Sequence, residues 1–239
     1  MMRVGHPNLY ATFVMMLSAV VLAGCGSTSA GRAGVWFTST ATASPPQVMP
    51  LPAPHLKGTL SLEEVLAQRR SVREFADTPL TVVELGQLLW AAQGVTNPAG
   101  LRAAPSAGAL YPLEMYAVTR EATYYYEPQG HRMSVTSAGD ARPQLYAAAL
   151  RQDPVLKAPA VIVIAAVYAR TAAKYGADRS PRYVHLEAGH AAQNVLLQAV
   201  ALNLGAVPIG AFEDDQVKQA LELPLDQQPL YLIPVGHPR

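Results

Sequence analysis

Cysteine is almost missing: Cys25 is the only one in 239 residues. One cysteine forms no internal disulfide and no Cys-based metal site. Charge of one sign is missing too. Eighteen Lys and Arg face 17 Asp and Glu, a formal net charge of +1, with no basic stripe. A nucleic-acid partner leaves a basic footprint, so none is expected here. The chain has no internal repeat, no phosphate-cradling P-loop, no G-x-S-x-G elbow and no dinucleotide fingerprint. Glu187-Ala-Gly-His190 fits half of a helical di-iron pattern, but the second E-x-x-H it needs is absent. His185 and His190 stand roughly 140° apart around a helix and cannot share a metal ion as an i, i+4 pair does. Glu187, His190, Gln193, Asn194 and Gln198 are therefore expected to be hydrogen-bonded polar groups of a buried helix.

The chain divides into three stretches. Residues 1–24 have the form of an export signal, with Arg3 ahead of an apolar run from Phe13 to Leu22 that is too short for a stable membrane span. Leu22-Ala-Gly-Cys25 resembles the bacterial lipobox. This makes Cys25 the expected lipid attachment point, unavailable as a catalytic thiol, and places the protein on a membrane outside the cytoplasm. Residues 25–57 are rich in Ser, Thr and Pro (Pro45, Pro46, Pro50, Pro52, Pro54) and are expected to be a tether. Residues 58–239 suffice for one domain with a substantial core.

Ser61-x-x-Glu64 and Thr81-x-x-Glu84 are capping boxes, each opening a helix, the second with Leu85, Leu88, Leu89 and Ala92 on one face and a stop at Gly94. Strands are expected over 114–119, over 123–127 and 131–136 as a hairpin around Pro128-Gln-Gly130, over 160–168 and over 230–235. Helices are expected over 141–150 and 214–221. The longest helix is expected over 183–204, about 22 residues or ~33 Å, with Pro181 ahead of it and Gly205 behind it. Its second half (Val195, Leu196, Leu197, Val200, Leu202, Leu204) is apolar almost all round, which requires a core or a subunit interface. A short strand, 206–212, follows and ends in Gly210-Ala211, where small residues let a backbone N–H approach a flat ligand. Helices and strands mix without strict alternation, so the class is α+β.

Two stretches carry candidate chemistry. Arg69-Arg70-Ser71-Val-Arg73 sets three guanidinium groups and a hydroxyl at a helix end, a pattern suited to phosphate, although a solvated basic turn has the same composition. Pro105-Ser-Ala-Gly-Ala-Leu-Tyr-Pro112 is a small-residue loop between prolines, suited either to a surface turn or to packing flat against a ring.

In order along the chain, R-R-S-V-R-E-F, A-P-S-A-G-A-L-Y-P-L-E, Y-Y-Y-E-P-x-G-H, E-A-G-H-A-A-Q-N-V-L-L-Q-A and P-I-G-A-F resemble the nitroreductase superfamily, and within it the SagB-type (thiazole/oxazole oxidase-like) dehydrogenases. The resemblance runs from about Leu60 to His237. It implies an FMN enzyme, a mixed central sheet flanked by helices, and a homodimer built on the long helix with two flavins at the interface. It places Arg69 and Ser71, with Arg70 beside them, at the FMN phosphate and ribityl chain, and Arg73 near the pyrimidine edge. Pro105, Ser106, Ala107 and Ala109 would line the ring from the second subunit. Gly210 and Ala211 would offer backbone N–H near flavin N5, and Gln152 would reach the ring's polar edge. Many relatives grip the phosphate with a basic C-terminal tail, a role expected here of Arg239. Ile209-Gly210-Ala211 stands where many relatives carry an acidic residue before the glycine. The implied activity is hydride transfer between flavin and a small-molecule or peptide substrate. The alternative is a non-catalytic lipoprotein binding module on the same fold.

Overall fold

The computed structural model describes residues 47–239, so the expected export signal, Cys25 and most of the expected tether lie outside the described residues. Seven strands form one sheet: β1 (Val48–Pro50), β2 (Leu113–Val118), β3 (Ala122–Glu127), β4 (Arg132–Ala138), β5 (Ala160–Ala166), β6 (Gly205–Ala206) and β7 (Gln228–Gly236). Their order is β1-β4-β3-β2-β5-β7-β6. The helices are α1 (Leu62–Gln68), α2 (Val82–Gln93), α3 (Arg142–Ala148), α4 (Asp153–Lys157), α5 (Tyr168–Tyr175), α6 (Ser180–Ala201) and α7 (Asp214–Leu221). The class is α+β, but the expected mixed sheet is not found. All six pairings between named strands are antiparallel, and among the described residues the one parallel contact is the Ser71–Ala206 bridge. Short hairpins join β2 to β3 and β3 to β4, and such links permit only antiparallel neighbours.

β5 explains the layering. All seven of its residues are buried. Ile162 and Ile164 join one core with Leu88 and Leu89 of α2 and Ala188, Val195 and Ala199 of α6. Val161 and Val163 join a second core with Leu145 of α3, Val155 of α4 and Val217 and Leu221 of α7. Alternate side chains of a strand point to opposite faces, so a strand covered on both faces must be apolar throughout. Leu88 and Leu89 are fully buried; burial of each stabilises by roughly 1.5–3 kcal/mol.

Both capping boxes form, with Ser61 and Thr81 each accepting from the N3 amide at 3.2 Å while Glu64 and Glu84 accept from the cap amide at 2.7 Å. α6 has the expected 22 residues but lies three residues earlier than expected. Pro181 belongs inside its first turn, where the missing N–H costs nothing. At the far end Asn203 takes the left-handed conformation (φ 57°) and Leu204 N–H donates to Ala199 O at 2.8 Å. Asn203 thus has the closing role expected of Gly205. The strand expected over 206–212 shrinks to β6 plus the Ile209–Leu232 bridge.

The packed domain also begins earlier than residue 58. β1 pairs with β4, and proline is tolerated there because the strand is an edge. Beyond β1 the chain forms a strap over α2: His55 N–H donates to Gln87 Oε1 at 2.8 Å, and Gln87 Nε2 returns a bond to His55 O at 3.0 Å. The strap, Trp90 and the outer face of α6 (Leu197, Ala201, Leu202) border an open groove of about 570 Å³.

Candidate functional site

The expected site residues fall into two groups, one at each end of α6. At the C-terminal end, the chain leaving α1 runs along β6. Val72 N–H donates to Ala206 O at 3.1 Å, Ala76 N–H to His237 O at 2.9 Å, and Arg239 N–H to Glu74 O at 3.3 Å. A Cβ at Gly205 would lie 2.5 Å from Val72 Cγ1, so only glycine lets the segment press this close. The result brings Arg69, Ser71, Arg73 and Arg239 to one edge of the sheet. Ser71, Arg73 and Arg239 are exposed and Arg69 is half-buried. Among the described residues none of these three arginine side chains has an ion-pair or hydrogen-bond partner. Arg70 behaves differently: its guanidinium donates to Ala67 O at 3.0 Å and Arg69 O at 2.7 Å, closing the end of α1.

The same edge continues to Gly210 and Ala211. Ile209 exchanges two backbone bonds with Leu232 (2.8 and 3.0 Å), after which Gly210 and Ala211 are exposed. A Cβ at Gly210 would meet nothing within 4 Å. Gln152 holds this loop from behind. Leu150 and Arg151 adopt left-handed backbone (φ 54° and 58°) to turn the chain out of α3. That turn delivers Gln152 Nε2 to Ala149 O at 3.1 Å and to Ala211 O at 2.9 Å. Gln152 was expected at a ring edge; its amide nitrogen is instead engaged by two backbone carbonyls.

At the N-terminal end of α6 stands the loop 105–112, and Tyr111 is its hub. Tyr111 N–H donates to Ser106 Oγ at 2.9 Å, Arg102 N–H donates to Tyr111 Oη at 3.1 Å, and Arg170 donates to Tyr111 O at 3.1 Å. The Arg102 guanidinium lies 4.5 Å from the Tyr111 ring centroid. Gly108, Ala109 and Tyr111 all have positive φ (63°, 53° and 47°). Strain of that kind persists only where surrounding bonds fix it. Pro105 and Ala109 are exposed, and Ser106 and Ala107 are half-buried. A Cβ at Gly108 would lie 2.9 Å from Lys174 Nζ and 3.0 Å from Tyr175 Oη, so α5 adds two polar groups that no sequence motif singled out.

Beneath the loop lies a buried charged network. Glu114 of β2 pairs with Arg170 and accepts from Tyr125 Oη at 2.6 Å. Arg102 Nη1 donates to Gln93 Oε1 at 3.0 Å, and burial lowers the Arg102 pKa. Glu187 of α6, 2% exposed, sits among Ser106, Gln93 and Arg102. Burial raises its pKa to about 7, against the opposing influence of the nearby Ser106 and Gln93 side chains and the Arg102 charge. Glu187 Oε1, Gln93 Nε2 and Arg102 Nε lack hydrogen-bond partners. The expectation of satisfied polar groups on the long helix therefore holds for Asn194 (to Ala91 O, 3.0 Å) and Gln198 (from Gln87, 3.2 Å). It fails for Glu187, and His190 and Gln193 are exposed.

Comparison with known proteins gives this architecture its class. The nitroreductase family profile matches residues 66–237. A Methanocaldococcus jannaschii protein provisionally named nitroreductase is 46% identical over 183 residues, covering 74% of this chain and 91% of the relative. A Ralstonia eutropha structure with the same provisional name aligns with TM-score 0.72 at 28% identity, covering 80% of this chain and 90% of that one. The NADPH:FMN oxidoreductase of Vibrio harveyi shares the fold (TM-score 0.56, 24% identity, 74% and 68% covered). The fold is that of the nitroreductase family. The chain belongs to the nitroreductase family, whose members generally use FMN, and it is an enzyme of that kind.

The C-terminal edge fits that cofactor. It offers unpaired guanidinium groups for a phosphate, the exposed Ser71 hydroxyl, and an exposed glycine with open space where a ring can approach.

Proposed function

We propose that this protein is a lipid-anchored, homodimeric, SagB-type FMN dehydrogenase acting on a small molecule or peptide, with each flavin site shared between two copies. One observation carries the reading. The residues suited to hold the cofactor and the loop suited to cover it lie at opposite ends of α6, with ~21 Å of helix rise between Glu187 and Ala201. One chain cannot close both halves over one ligand. A second copy packed antiparallel along the apolar outer face of α6 would bring each edge against the other copy's loop. The groove beside Leu197, Ala201 and Leu202 supports that packing.

In this reading Arg69, Arg239 and Ser71 hold the phosphate and ribityl chain, while Arg73 supplies positive charge at the pyrimidine edge. When bound, FMN supplies N5, the atom that exchanges hydride. Gly210 and Ala211 present backbone N–H groups there, and Gln152 fixes their loop through Ala211 O. The second copy's Pro105, Ser106, Ala107 and Ala109 cover the ring and exclude water. Ile209 in place of an acidic residue, and attachment outside the cytoplasm through Cys25, both argue against NAD(P)H as the natural reductant.

The absorbance spectrum of the purified protein, read with its mass in solution, tests the proposal. A flavin spectrum near one FMN per chain on a dimer is expected. Colourless protein that refuses added FMN would sink the flavin site, and a flavin-loaded monomer would sink the shared one. Processing and membrane distribution unchanged in Cys25→Ser would refute the anchor. Bleaching of the bound flavin by NADH or NADPH at kcat/KM of about 10⁴ M⁻¹s⁻¹ or more would refute the choice of donor.

A further inference from the structure

We propose that His131 is a proton-released latch on the strap that walls the groove beside α6. As a neutral ring it clips Pro52 to the hairpin between β3 and β4. With a second proton it gives up its buried partner, and the strap loosens from α2. The consequence for a second copy rests on the proposed reading that the copy packs at this groove; the latch itself does not.

Two contacts fix the tautomer of the ring. Nε2 lies 2.9 Å from Pro52 O, and Nδ1 lies 2.9 Å from Tyr126 Oη. A backbone carbonyl can only accept, so Nε2 carries the hydrogen and donates it. In the neutral ring Nδ1 is then an acceptor, and the Tyr126 hydroxyl donates to it. Tyr126 is 1% exposed and belongs to the core that holds Leu88 and Leu89, so its hydroxyl has no bulk water to turn to. A second proton enters the half-buried ring from solvent and sits on Nδ1. Tyr126 Oη must then accept, and its own hydrogen turns into apolar core. A buried donor left unmet costs its full desolvation penalty. The protonated ring is therefore more stable out of the gap between Tyr126 and Pro52 than in it.

The ring stands where its release reaches the groove. His131 has left-handed backbone (φ 46°) at the hairpin turn, and its carbonyl accepts from Leu51 N–H at 3.0 Å. α2 closes on the same spot: a Cβ at Gly86 would lie 3.4 Å from Leu51 Cβ and 3.7 Å from His131 Nε2. Residues 55–60 follow along the strap and border the groove, with the His55–Gln87 pair as their tie to α2. Around the ring, Tyr126 of β3 is the titratable group bonded to it. Glu127 and Arg132 flank the turn and pair with each other at 2.6 Å. β1 and Gly86 of α2 bring no charge, and on the strap His55 and Lys57 lie beyond Pro52 toward the groove. The Arg102 charge acts on Tyr126. Burial holds His131 below the usual histidine range, against the Pro52 carbonyl, which favours the protonated ring. A group whose pKa is lowered by folding loses its stabilising share as pH falls, so the latch is closed at neutral pH and opens in acid.

Nitrogen NMR of the histidine rings in the full-length protein tests the tautomer directly, with His131→Gln identifying the signal. His131 should carry its hydrogen on Nε2 at pH 8 and on both nitrogens at pH 5. Amide hydrogen exchange, expressed as protection relative to an unstructured chain, tests the release. Protection of the Leu51 and His55 N–H groups should fall about tenfold from pH 8 to pH 5, the effect of one lost hydrogen bond. That of Leu88 in α2 should hold. In His131→Gln, whose amide can donate to Pro52 O but takes up no proton, the fall should vanish. An Nδ1–H tautomer at pH 8, equal protection at the two pH values, or the same fall in His131→Gln would overturn the latch. If His131→Gln does not fold, the wild-type protection of Leu51 and His55 decides. Sedimentation of the same proteins reads the consequence. The wild-type dimer should dissociate about tenfold more readily at pH 5 than at pH 8, in step with the lost protection. A monomer at both pH values, with the fall in protection intact, would remove the second copy from the groove and leave the latch. A wild-type dimer equally tight at both would overturn the link between strap and second copy.

Discussion

The two ends of α6 are built on opposite plans. At the C-terminal end the backbone does the positioning. Strand-like bonds from Val72, Ala76 and Arg239 fix the edge, and the side chains of Arg69, Ser71 and Arg73 are left uncommitted. At the N-terminal end the side chains do the positioning. Tyr111, Arg102, Arg170 and Ser106 bind one another and hold three residues of one loop at positive φ. An end with unspent charge can hold an anionic ligand. An end whose polar groups are spent on its own loop offers a rigid surface instead. Holding and covering are thereby separated along one helix.

The sharpest way to break this contrast is to remove the unspent charge. A hydrogen bond to a charged group contributes about 1.5–3 kcal/mol. The double variant Arg69→Ala, Arg73→Ala should therefore weaken FMN binding by roughly 10²-fold or more, with little change in Tm, because neither guanidinium has a partner in the folded chain. Tyr111→Phe at the other end should do the reverse, lowering Tm while leaving flavin affinity within about tenfold. Fluorescence titration of FMN beside thermal unfolding decides between the plans. Equal flavin loss in both variants would mean the two ends share one task.

How much of this was legible in the sequence follows the same division. Local devices were. Ser61-x-x-Glu64 and Thr81-x-x-Glu84 cap as read, the 123–136 hairpin forms, and the unbroken apolar run of β5 is explained by burial on both faces. Arg69, Ser71 and Arg73 lie in one short motif and Gly210 and Ala211 in another, and the fold brings both motifs to one edge of the sheet. Not legible was whatever depends on contacts between distant segments. Ser106 and Glu187 sit in different motifs and meet only through the fold. Arg70 has the composition of a phosphate ligand but is engaged at its own helix end. The strap over α2 has the proline content of a tether, yet a pair of bonds to one buried residue, Gln87, ties it down.

Two glycines sharpen the contrast next. Gly205→Ala places a Cβ 2.5 Å from Val72 Cγ1, whereas the same change at Gly210 meets nothing within 4 Å. Overpacking of this kind costs about 1–3 kcal/mol. Gly205→Ala should lower Tm by several degrees and weaken FMN binding with it, since the arginine segment must move off the sheet. Gly210→Ala should leave Tm nearly unchanged and weaken FMN binding alone, because its open side is where the ring approaches. A Gly210→Ala variant with wild-type flavin affinity would move the ring away from this loop.

The smallest effect concerns the cost of the buried network. Glu187 has its folded pKa raised from 4.5 to about 7 by burial. Between those values the folded state binds more protons than the unfolded one, so stability falls as pH rises, and above about pH 7 the cost is complete. This is the opposite of a salt-bridged carboxylate, whose contribution is lost as pH falls. The shift corresponds to a cost of about 3–4 kcal/mol at most. Glu187→Gln removes the ionisation while keeping the shape. The variant should therefore gain stability over the wild type at pH 8, by up to about 5–10 °C in Tm for a domain of this size, and gain far less at pH 5. Thermal unfolding of both proteins at the two pH values measures the difference directly. A gain that is equal at pH 5 and pH 8 would show that Glu187 keeps its ordinary carboxylate pKa in the folded protein, because stability depends on pH only where the folded and unfolded states bind different numbers of protons. The two ends of α6 would then differ in burial but not in protonation.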